Sequence, residues 1–216
     1  PAGQRAWVEH LLTRRTRFSV KDSFATLDLS NLGFNVLFEA TWLWLDPVHP
    51  TAVHPSAVHP TFRSGLHLLE DDPGQVRRTQ ESATHQGLAW SVVTDAAGLG
   101  RWEAAWAGLH DGQVVPGSER IFRRGLLREP GVALLAGARD GQVVAVAAAN
   151  QTGEVVGLSN VFAPAAEAGA CWAGAVAFAR ALFPGRPLVG YERGDDLAHA
   201  QAVGFVPVGP LRVWAR

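Results

Sequence analysis

Residues 1–47 show two helical patterns followed by a strand pattern. Trp7 and Leu11 share one side of residues 3–14, which predicts a short helix. A second helix is predicted from Ser19, because Asp22 stands where a capping box has its acidic partner. Residues 34–45 alternate strictly between faces and predict a long strand with one strongly apolar face. That face needs a cover, which we expect to be the rest of the chain, although a homodimer stays open.

Low-complexity sequence follows this strand. The unit Val-His-Pro recurs three times within residues 48–60. Each proline removes a backbone donor and favours extended backbone, so a mobile surface loop is predicted. The repeat contains no carboxylate or cysteine, and its three histidines alone do not fix a metal geometry. No metal site is therefore predicted.

A denser series of patterns begins at residue 88. The predicted order is strand 88–95, a helix from Asp95, a helix from Ser118 through Ile121, Phe122 and Leu126, strands 132–138, 142–149 and 154–162, helix 169–183, strand 187–191, helix 195–203, and a terminal strand after Gly204. Asp140-Gly141 is a strong hairpin signal inside the three-stranded meander. Two prolines in the terminal strand predict an edge or bulged strand.

Composition narrows the class of protein. The chain has 216 residues, 47% apolar and 18% charged, which indicates a globular fold of about one and a half domains. No apolar run is long enough to span a membrane and no secretory pattern is present, so a cytoplasmic protein without a membrane partner is predicted. The 19 basic and 20 acidic residues nearly cancel, so no nucleic-acid partner is predicted. Arginine outnumbers lysine by 18 to 1.

The element order of residues 88–216 resembles the GNAT superfamily of acetyl-CoA-dependent N-acetyltransferases. Two local features carry the resemblance. The strand end Ser-Asn-Val-Phe-Ala-Pro, residues 159–164, leads into a Gly-containing loop and a helix of small residues, and Gly204-Phe205 separates the last helix from the terminal strand. The resemblance implies an α/β (α+β) fold with a mixed, mostly antiparallel sheet flanked by helices. Residues 1–87 are then an N-terminal helix–strand extension.

In that superfamily, acetyl-CoA binds where the last meander strand and the next strand splay apart, and its pyrophosphate lies at the N-terminus of the following helix. The resemblance therefore implies cofactor contacts at Val161, Phe162, Ala166, Glu167, Ala168, Gly169, Ala170 and Cys171. Only Gly169 matches the family's loop pattern outright. Ala166 lacks the usual long polar side chain, and Glu167 adds a negative charge. The pyrophosphate loop is thus degenerate, although its small residues still permit close backbone approach.

The catalytic residues depart from the family as well. The tyrosine that usually acts as the acid lies four residues before the glycine of the Gly-Phe pair, and this chain has Ala200 there. The remaining candidates are the only tyrosine, Tyr191, then His199 and Glu192, with Asp195 and Asp196 as further carboxylates, and Ser159 or Asn160 as a ligand for a carbonyl or water. The implied activity is acetyl transfer from acetyl-CoA to a small-molecule amine. The alternative is a catalytically inactive GNAT-like binding or regulatory protein.

The N-terminal extension carries an echo of the chain's end. Residues 22–42 parallel residues 195–214, since each has an Asp start, a Gly-Phe pair and a strand reaching a Trp. This pattern favours a truncated GNAT-like remnant in residues 1–87. Chance similarity stays equally open, because helix–Gly–strand is a common sequence.

Overall fold

The computed structural model describes residues 2–47, 82–109 and 121–216. The Val-His-Pro repeat of residues 48–60 and the predicted helix start at Ser118 lie outside these residues. The described elements are α1 (Ala2–Leu12), β1 (Ser19–Ser23), β2 (Asn35–Leu45), β3 (Ser82–His85), β4 (Leu88–Val92), α2 (Ala96–Trp106), β5 (Val132–Arg139), β6 (Gln142–Thr152), β7 (Val155–Phe162), α3 (Ala168–Leu182), β8 (Leu188–Glu192), α4 (Gly194–Ala202) and β9 (Val206–Ala215). No helix among them has the length and apolar character needed to cross a lipid bilayer.

The chain forms two compact units. The first combines both ends of the chain, Pro1–Trp44 with Gly190–Arg216, and the second is Leu45–Val189. This division does not follow the predicted boundary between residues 87 and 88. The predicted boundary separates a possible GNAT-like remnant from the GNAT-like domain, and it stays a prediction.

In the first unit, β9 pairs antiparallel with β1 on one side and with β2 on the other. Trp214 of β9 lies opposite Val20 in one ladder and opposite Val36 in the other. Its indole packs in an apolar cluster with Val8 of α1 and Phe34. The N-terminal segment therefore completes its hydrogen bonds and its core with the C-terminal strand.

The helix predicted from Ser19 is wrong, because residues 19–23 form β1. Asp22 is buried, and its carboxylate accepts hydrogen bonds from the backbone N–H groups of Thr26 (3.1 Å) and Leu27 (2.9 Å). The apparent capping residue therefore organises the turn after a strand. The only helical turn between β1 and β2 is a short 3-10 segment at Ser30–Leu32.

The predicted strand at 34–45 is confirmed as β2, but its cover is incomplete. Phe34 is buried, whereas Val36 is 46% and Leu37 is 60% exposed. The terminal strand β9 is bulged against β2, with a register shift between Trp42 and Leu43. It is not an edge strand. The prolines of β9 are tolerated because β1 pairs only with residues 211–215 of this strand. The half of β9 that contains the prolines is not in register with β1.

In the second unit the strand order is β8-β7-β6-β5-β4-β3. All of these pairings are antiparallel except β7–β8, which confirms the mixed, mostly antiparallel sheet. Asp140 and Gly141 have φ of 50° and 80°, as a type I′ hairpin requires, so the predicted turn is confirmed. Strand β3 lies in a stretch whose sequence is only weakly patterned.

The helix α2 begins as predicted, since Asp95 Oδ1 accepts a hydrogen bond from the N–H of Gly98 (2.6 Å). The helix predicted through Ile121 and Phe122 is wrong for the described residues, which form only a 3-10 segment at Arg124–Arg128. The reason is a buried carboxylate on α2. Glu103 Oε1 accepts from the N–H groups of Ile121 (2.8 Å) and Phe122 (3.3 Å), which holds this backbone in a non-helical path.

Small residues let α3 approach the sheet closely. The ring of Trp90, on β4, fills the space beside Gly174. A Cβ at Gly174 would lie 2.6 Å from Cε2 of Trp90, whereas a Cβ at Gly169 would meet nothing within 4 Å. Within residues 169–175, Gly174 therefore serves close packing against Trp90, whereas the backbone at Gly169 is open.

The substitution Gly174→Ala should destabilise the protein by about 1–3 kcal/mol, because the added methyl group overpacks against Trp90. Gly169→Ala is the matched control on the same helix. It should be neutral or stabilise by up to ~1 kcal/mol through helix propensity. Urea denaturation of both variants measures the difference, and equal effects would contradict the packing argument.

Candidate functional site

A β-bulge interrupts β7 near its end. Ala148 of β6 lies opposite Ser159, but Val146 lies opposite Phe162, so three steps along β7 match two steps along β6. Asn160 takes up the extra residue with φ of 52°, a left-handed conformation that asparagine tolerates better than most residues. Such a bulge bends the strand and withdraws backbone groups from the ladder.

The pairing of β7 with β8 is short. The two strands run parallel and are in register at Val156↔Leu188 and Gly157↔Val189. Within the described residues this register extends no further along β7, so the bulged stretch lies beyond it. Asn160 Nδ2 donates a hydrogen bond to Ser159 Oγ (3.2 Å). The two polar candidates predicted on this strand are therefore brought together beside interrupted backbone.

The polypeptide then enters α3 through a 3-10 turn at Ala165–Glu167. The carboxylate of Glu167 does not stand alone, because its Oε1 lies 2.5 Å from Nη1 of Arg139. Arg139 is the last residue of β5, next to the hairpin turn. A cation from the end of a strand thus neutralises the acidic side chain at the start of the helix.

Sequence reasoning missed Arg139. The signal was available, since β5 and β7 both pair antiparallel with β6 and therefore run in the same direction. The end of β5 must then lie at the same edge of the sheet as the end of β7, which leads into α3. A charged residue at either strand end could be tested as a partner of Glu167 on that ground.

Cys171 does not present its thiol at this edge. Its side chain is buried, and Sγ lies 3.7 Å from the carbonyl oxygen of Phe162 and 3.9 Å from that of Val146. The thiol packs as a weak donor toward two strands, so a contact with cofactor would involve only the backbone of Cys171. The other predicted cofactor contacts, Val161, Phe162, Ala166, Ala168 and Ala170, stay predictions.

The catalytic candidates at the end of β8 belong to the first unit. The ring of Tyr191 stacks on Phe38 (6.5 Å between centroids) and meets Trp42 edge-to-face (5.3 Å). Glu192 follows it on the strand. Because consecutive strand residues point to opposite faces, the hydroxyl of Tyr191 and the carboxyl of Glu192 do not share one face.

Glu192 has an unusual acidity. Burial, and then the negative charge of Asp196, raise the pKa of its carboxyl from 4.5 to about 7. Asp196 and Asp195 lie in the first turn of α4, where the helix dipole favours negative charge. The ionisation of Glu192 therefore changes near neutral pH.

His199 and Ala200 lie further along α4. His199 is half-buried, while Ala200 is completely buried. The position at which the family usually has its acidic tyrosine is therefore a methyl group in the core. Among the described residues, no three His, Cys, Asp or Glu side chains form a group that could hold a metal ion.

Comparison with family models and with curated proteins gives no match. Solved structures do match. A GCN5-related N-acetyltransferase from Sphaerobacter thermophilus aligns with TM-score 0.54 at 10% identity, over 100% of this chain and 67% of that one. A functionally unknown conserved protein from Staphylococcus epidermidis aligns with TM-score 0.56 at 8% identity, over 97% and 79%. The chain therefore has the GNAT fold.

A GCN5-related N-acetyltransferase from Kribbella flavida also aligns, with TM-score 0.48 at 17% identity, over 87% of this chain. This chain spans 61% of that protein's length. Identities this low bear on the fold alone. The activity, substrates and partners of the GNAT-like chain are therefore matters of proposal, and its site residues stay predictions.

Stability should report the state of Glu192. The folded state holds its proton up to about pH 7, whereas the unfolded chain loses it near 4.5, so Glu192 lowers stability as pH rises through that window. Glu192→Gln should therefore gain about 1–2 kcal/mol relative to the parent between pH 4.5 and pH 8, after allowance for partial exposure to water.

Urea denaturation of parent and variant at the two pH values measures this gain. Asp196→Asn removes the second cause of the raised pKa, so in that background the pH-dependent gain from Glu192→Gln should shrink. If the free energies of unfolding of parent and Glu192→Gln differ by the same amount at both pH values, the pKa of Glu192 is not raised in the folded state.

Proposed function

We propose that this chain is a GNAT-type acyltransferase that moves an acetyl group from acetyl-CoA to the amine of a small molecule. The observation that carries the proposal is the bulge at Asn160, beyond the short register of β7 with β8. Backbone N–H and C=O groups left out of a ladder need other partners. An extended amide-bearing chain, such as the pantetheine arm, supplies them in the manner of an added strand.

The residues at the start of α3 fit the phosphate end of acetyl-CoA. The first N–H groups of a helix lack intrahelical partners and favour an anion. Open space above Gly169 allows a ligand to approach the backbone. The charge of Glu167 would oppose a phosphate, but its pairing with Arg139 removes most of that opposition. Acetyl-CoA, when bound, would supply an activated thioester.

The transfer requires two proton movements. A C–N bond forms between amine and acyl carbon while the C–S bond breaks, the amine loses a proton and the departing thiolate gains one. Because the superfamily commonly uses a tyrosine as this acid and the chain has only one, Tyr191 is the candidate donor to the thiolate. Glu192, whose pKa of about 7 suits a base at neutral pH, is the candidate acceptor of the amine's proton, with water as the intermediary.

A specific observation favours the alternative of a binding protein without catalysis. Ala200 is fully buried where the family usually has a tyrosine, so the usual acid cannot be regained by a small movement. The sequence of the loop lacks the usual long polar side chain at Ala166 as well. Under this alternative the chain binds acetyl-CoA and shows no turnover with any amine.

Acetyl-CoA should bind the parent protein in calorimetric titration. Glu167→Gln should tighten binding about threefold by removing a negative charge, and Arg139→Ala should weaken it by at least as much. The matched control is Arg186→Ala, which breaks a comparable surface pair with Glu154 and should leave affinity unchanged. No heat and no thermal shift at millimolar acetyl-CoA would overturn the proposed function.

Turnover should depend on the hydroxyl of Tyr191. Tyr191→Phe keeps the ring and should lower kcat at least about a hundredfold, the lower end for a positioned acid, without changing KM for acetyl-CoA. Thiol release across a panel of amines measures this. Glu192→Gln is the companion variant and should remove the rise of kcat through pH 7. An unchanged kcat in Tyr191→Phe would exclude Tyr191 from the mechanism.

A further inference from the structure

An aromatic cluster lies on one face of the first unit. It consists of Phe38 and Trp42 on β2 and Tyr191 on β8, with centroid separations of 6.5 Å and 5.3 Å from the tyrosine. All three side chains are half-buried. Their rings are thus packed against each other and still reached by solvent.

Two cations already lie over these rings. Lys21 Nζ is 4.5 Å from the ring centroid of Tyr191, and Cζ of Arg193 is 5.0 Å from that of Phe38. Lys21 and Phe38 both lie opposite Val213, so Lys21 shares a face with the ring on which Tyr191 stacks. Aromatic faces attract ammonium and guanidinium groups through the ring quadrupole. The cluster has the chemistry of a cation site.

Lys21 is held loosely there. Its side chain is exposed, and among the described residues its ammonium forms no ion pair or hydrogen bond, so the ring of Tyr191 is its partner. Arg212 offers a contrast in the same unit. It lies 5.5 Å over the buried ring of Trp214 and is also tied to Glu39 by hydrogen bonds of 2.6 and 2.8 Å. A ligand could displace Lys21 far more easily than Arg212.

The chemical nature of the Lys21 side chain also indicates an ammonium ligand. Lys21 is the single lysine in a chain with 18 arginines, and it places a primary ammonium on the tyrosine face. A primary alkylamine is also protonated at neutral pH, so an acceptor would arrive as the same chemical group. The side chain of Lys21 thus resembles a small-molecule amine in both charge and shape.

We propose that Phe38, Trp42 and Tyr191 form a binding site for an organic ammonium ion, and that Lys21 occupies it as a resident competitor. The ligand is a primary amine with an apolar body, which contacts the rings while its ammonium replaces that of Lys21. The assignment of this ligand as the acceptor rests on the proposed acetyl transfer, in which the bound ammonium loses one proton to water before the neutral amine attacks the thioester. The binding site itself does not require acetyl-CoA.

The test measures binding of 2-phenylethylammonium to the full chain at pH 7 without acetyl-CoA, by calorimetry, with neutral 2-phenylethanol as the comparison ligand. The parent should prefer the ammonium. Lys21→Met keeps the apolar stem and removes the competing charge, so it should tighten ammonium binding about threefold to tenfold. Lys21→Arg retains a cation and should leave the affinity near that of the parent.

Arg212→Met is the matched control, since it removes a cation from over another ring of the same unit, and it should not tighten binding. Tyr191→Leu should weaken binding at least fivefold, with Phe38→Leu as a second ring deletion should the first variant not fold. Equal affinity for ammonium and alcohol would overturn the proposal, as would equal gains from Lys21→Met and Arg212→Met.

The outcome is separable from that of the proposed function. Ammonium binding that responds to Lys21→Met, in a protein that does not bind acetyl-CoA, would support the cation site and overturn the acetyl transfer. Acetyl-CoA binding without any ammonium preference would overturn the cation site alone.

Discussion

The backbone of β9 bonds to β1 on one side and to β2 on the other, so residues from both ends of the chain share one pair of ladders. Each strand edge left without a neighbour would expose unpaired N–H and C=O groups. Trp214 shows what depends on this arrangement. Its indole packs in a cluster that includes Val8 of α1 and Val20 of β1. The aromatic face around Tyr191 depends on β2 as well, because β2 supplies Phe38 and Trp42.

Function is proposed where ladders are interrupted. Asn160 withdraws one residue of β7 from pairing with β6, and the register with β8 covers only two positions. In a regular sheet the backbone N–H and C=O groups hydrogen-bond to neighbouring strands, so few of them remain available to a ligand. An interruption leaves such groups available while the neighbouring regular pairs keep them in place. The irregular stretch of β7 is for this reason also the stretch at which we propose ligand binding.

The sequence predicted most of the elements whose signals are local. Asp95 caps α2 through a bond three residues away, and Asp140-Gly141 specifies its hairpin by backbone conformation alone. The helix predicted at Asp22 is wrong because the role of this residue depends on distant parts of the chain. Its spacing from Ser19 imitates a capping box, but its carboxylate bonds the turn after β1 and lies 3.5 Å from the indole nitrogen of Trp214, 192 residues away. Nothing in a local window distinguishes these two uses of an aspartate.

The candidate site was predictable in its positions and less so in its partners. Ser159, Asn160 and the start of α3 follow from the resemblance to the GNAT superfamily, since they depend on element order. The pair of Arg139 and Glu167 joins residues 28 apart and requires knowing which strand ends share a sheet edge. The contact of Lys21 with Tyr191 depends on the registers that place Lys21 and Phe38 opposite Val213, and on the stacking of Tyr191 on Phe38. Such pairings are set by tertiary geometry, which residue types alone do not encode.

The pair at the start of α3 also changes how an anion would be bound there. A loop with its own long polar side chain would offer a free donor, whereas here Arg139 is already engaged by Glu167. A phosphate must then compete with a carboxylate for the guanidinium, and a displaced Glu167 would leave an unpaired negative charge beside it. Part of the binding energy is consumed in that exchange. The degenerate loop therefore predicts weaker retention of a phosphate ligand, even where the helix terminus and the open backbone at Gly169 remain suited to it.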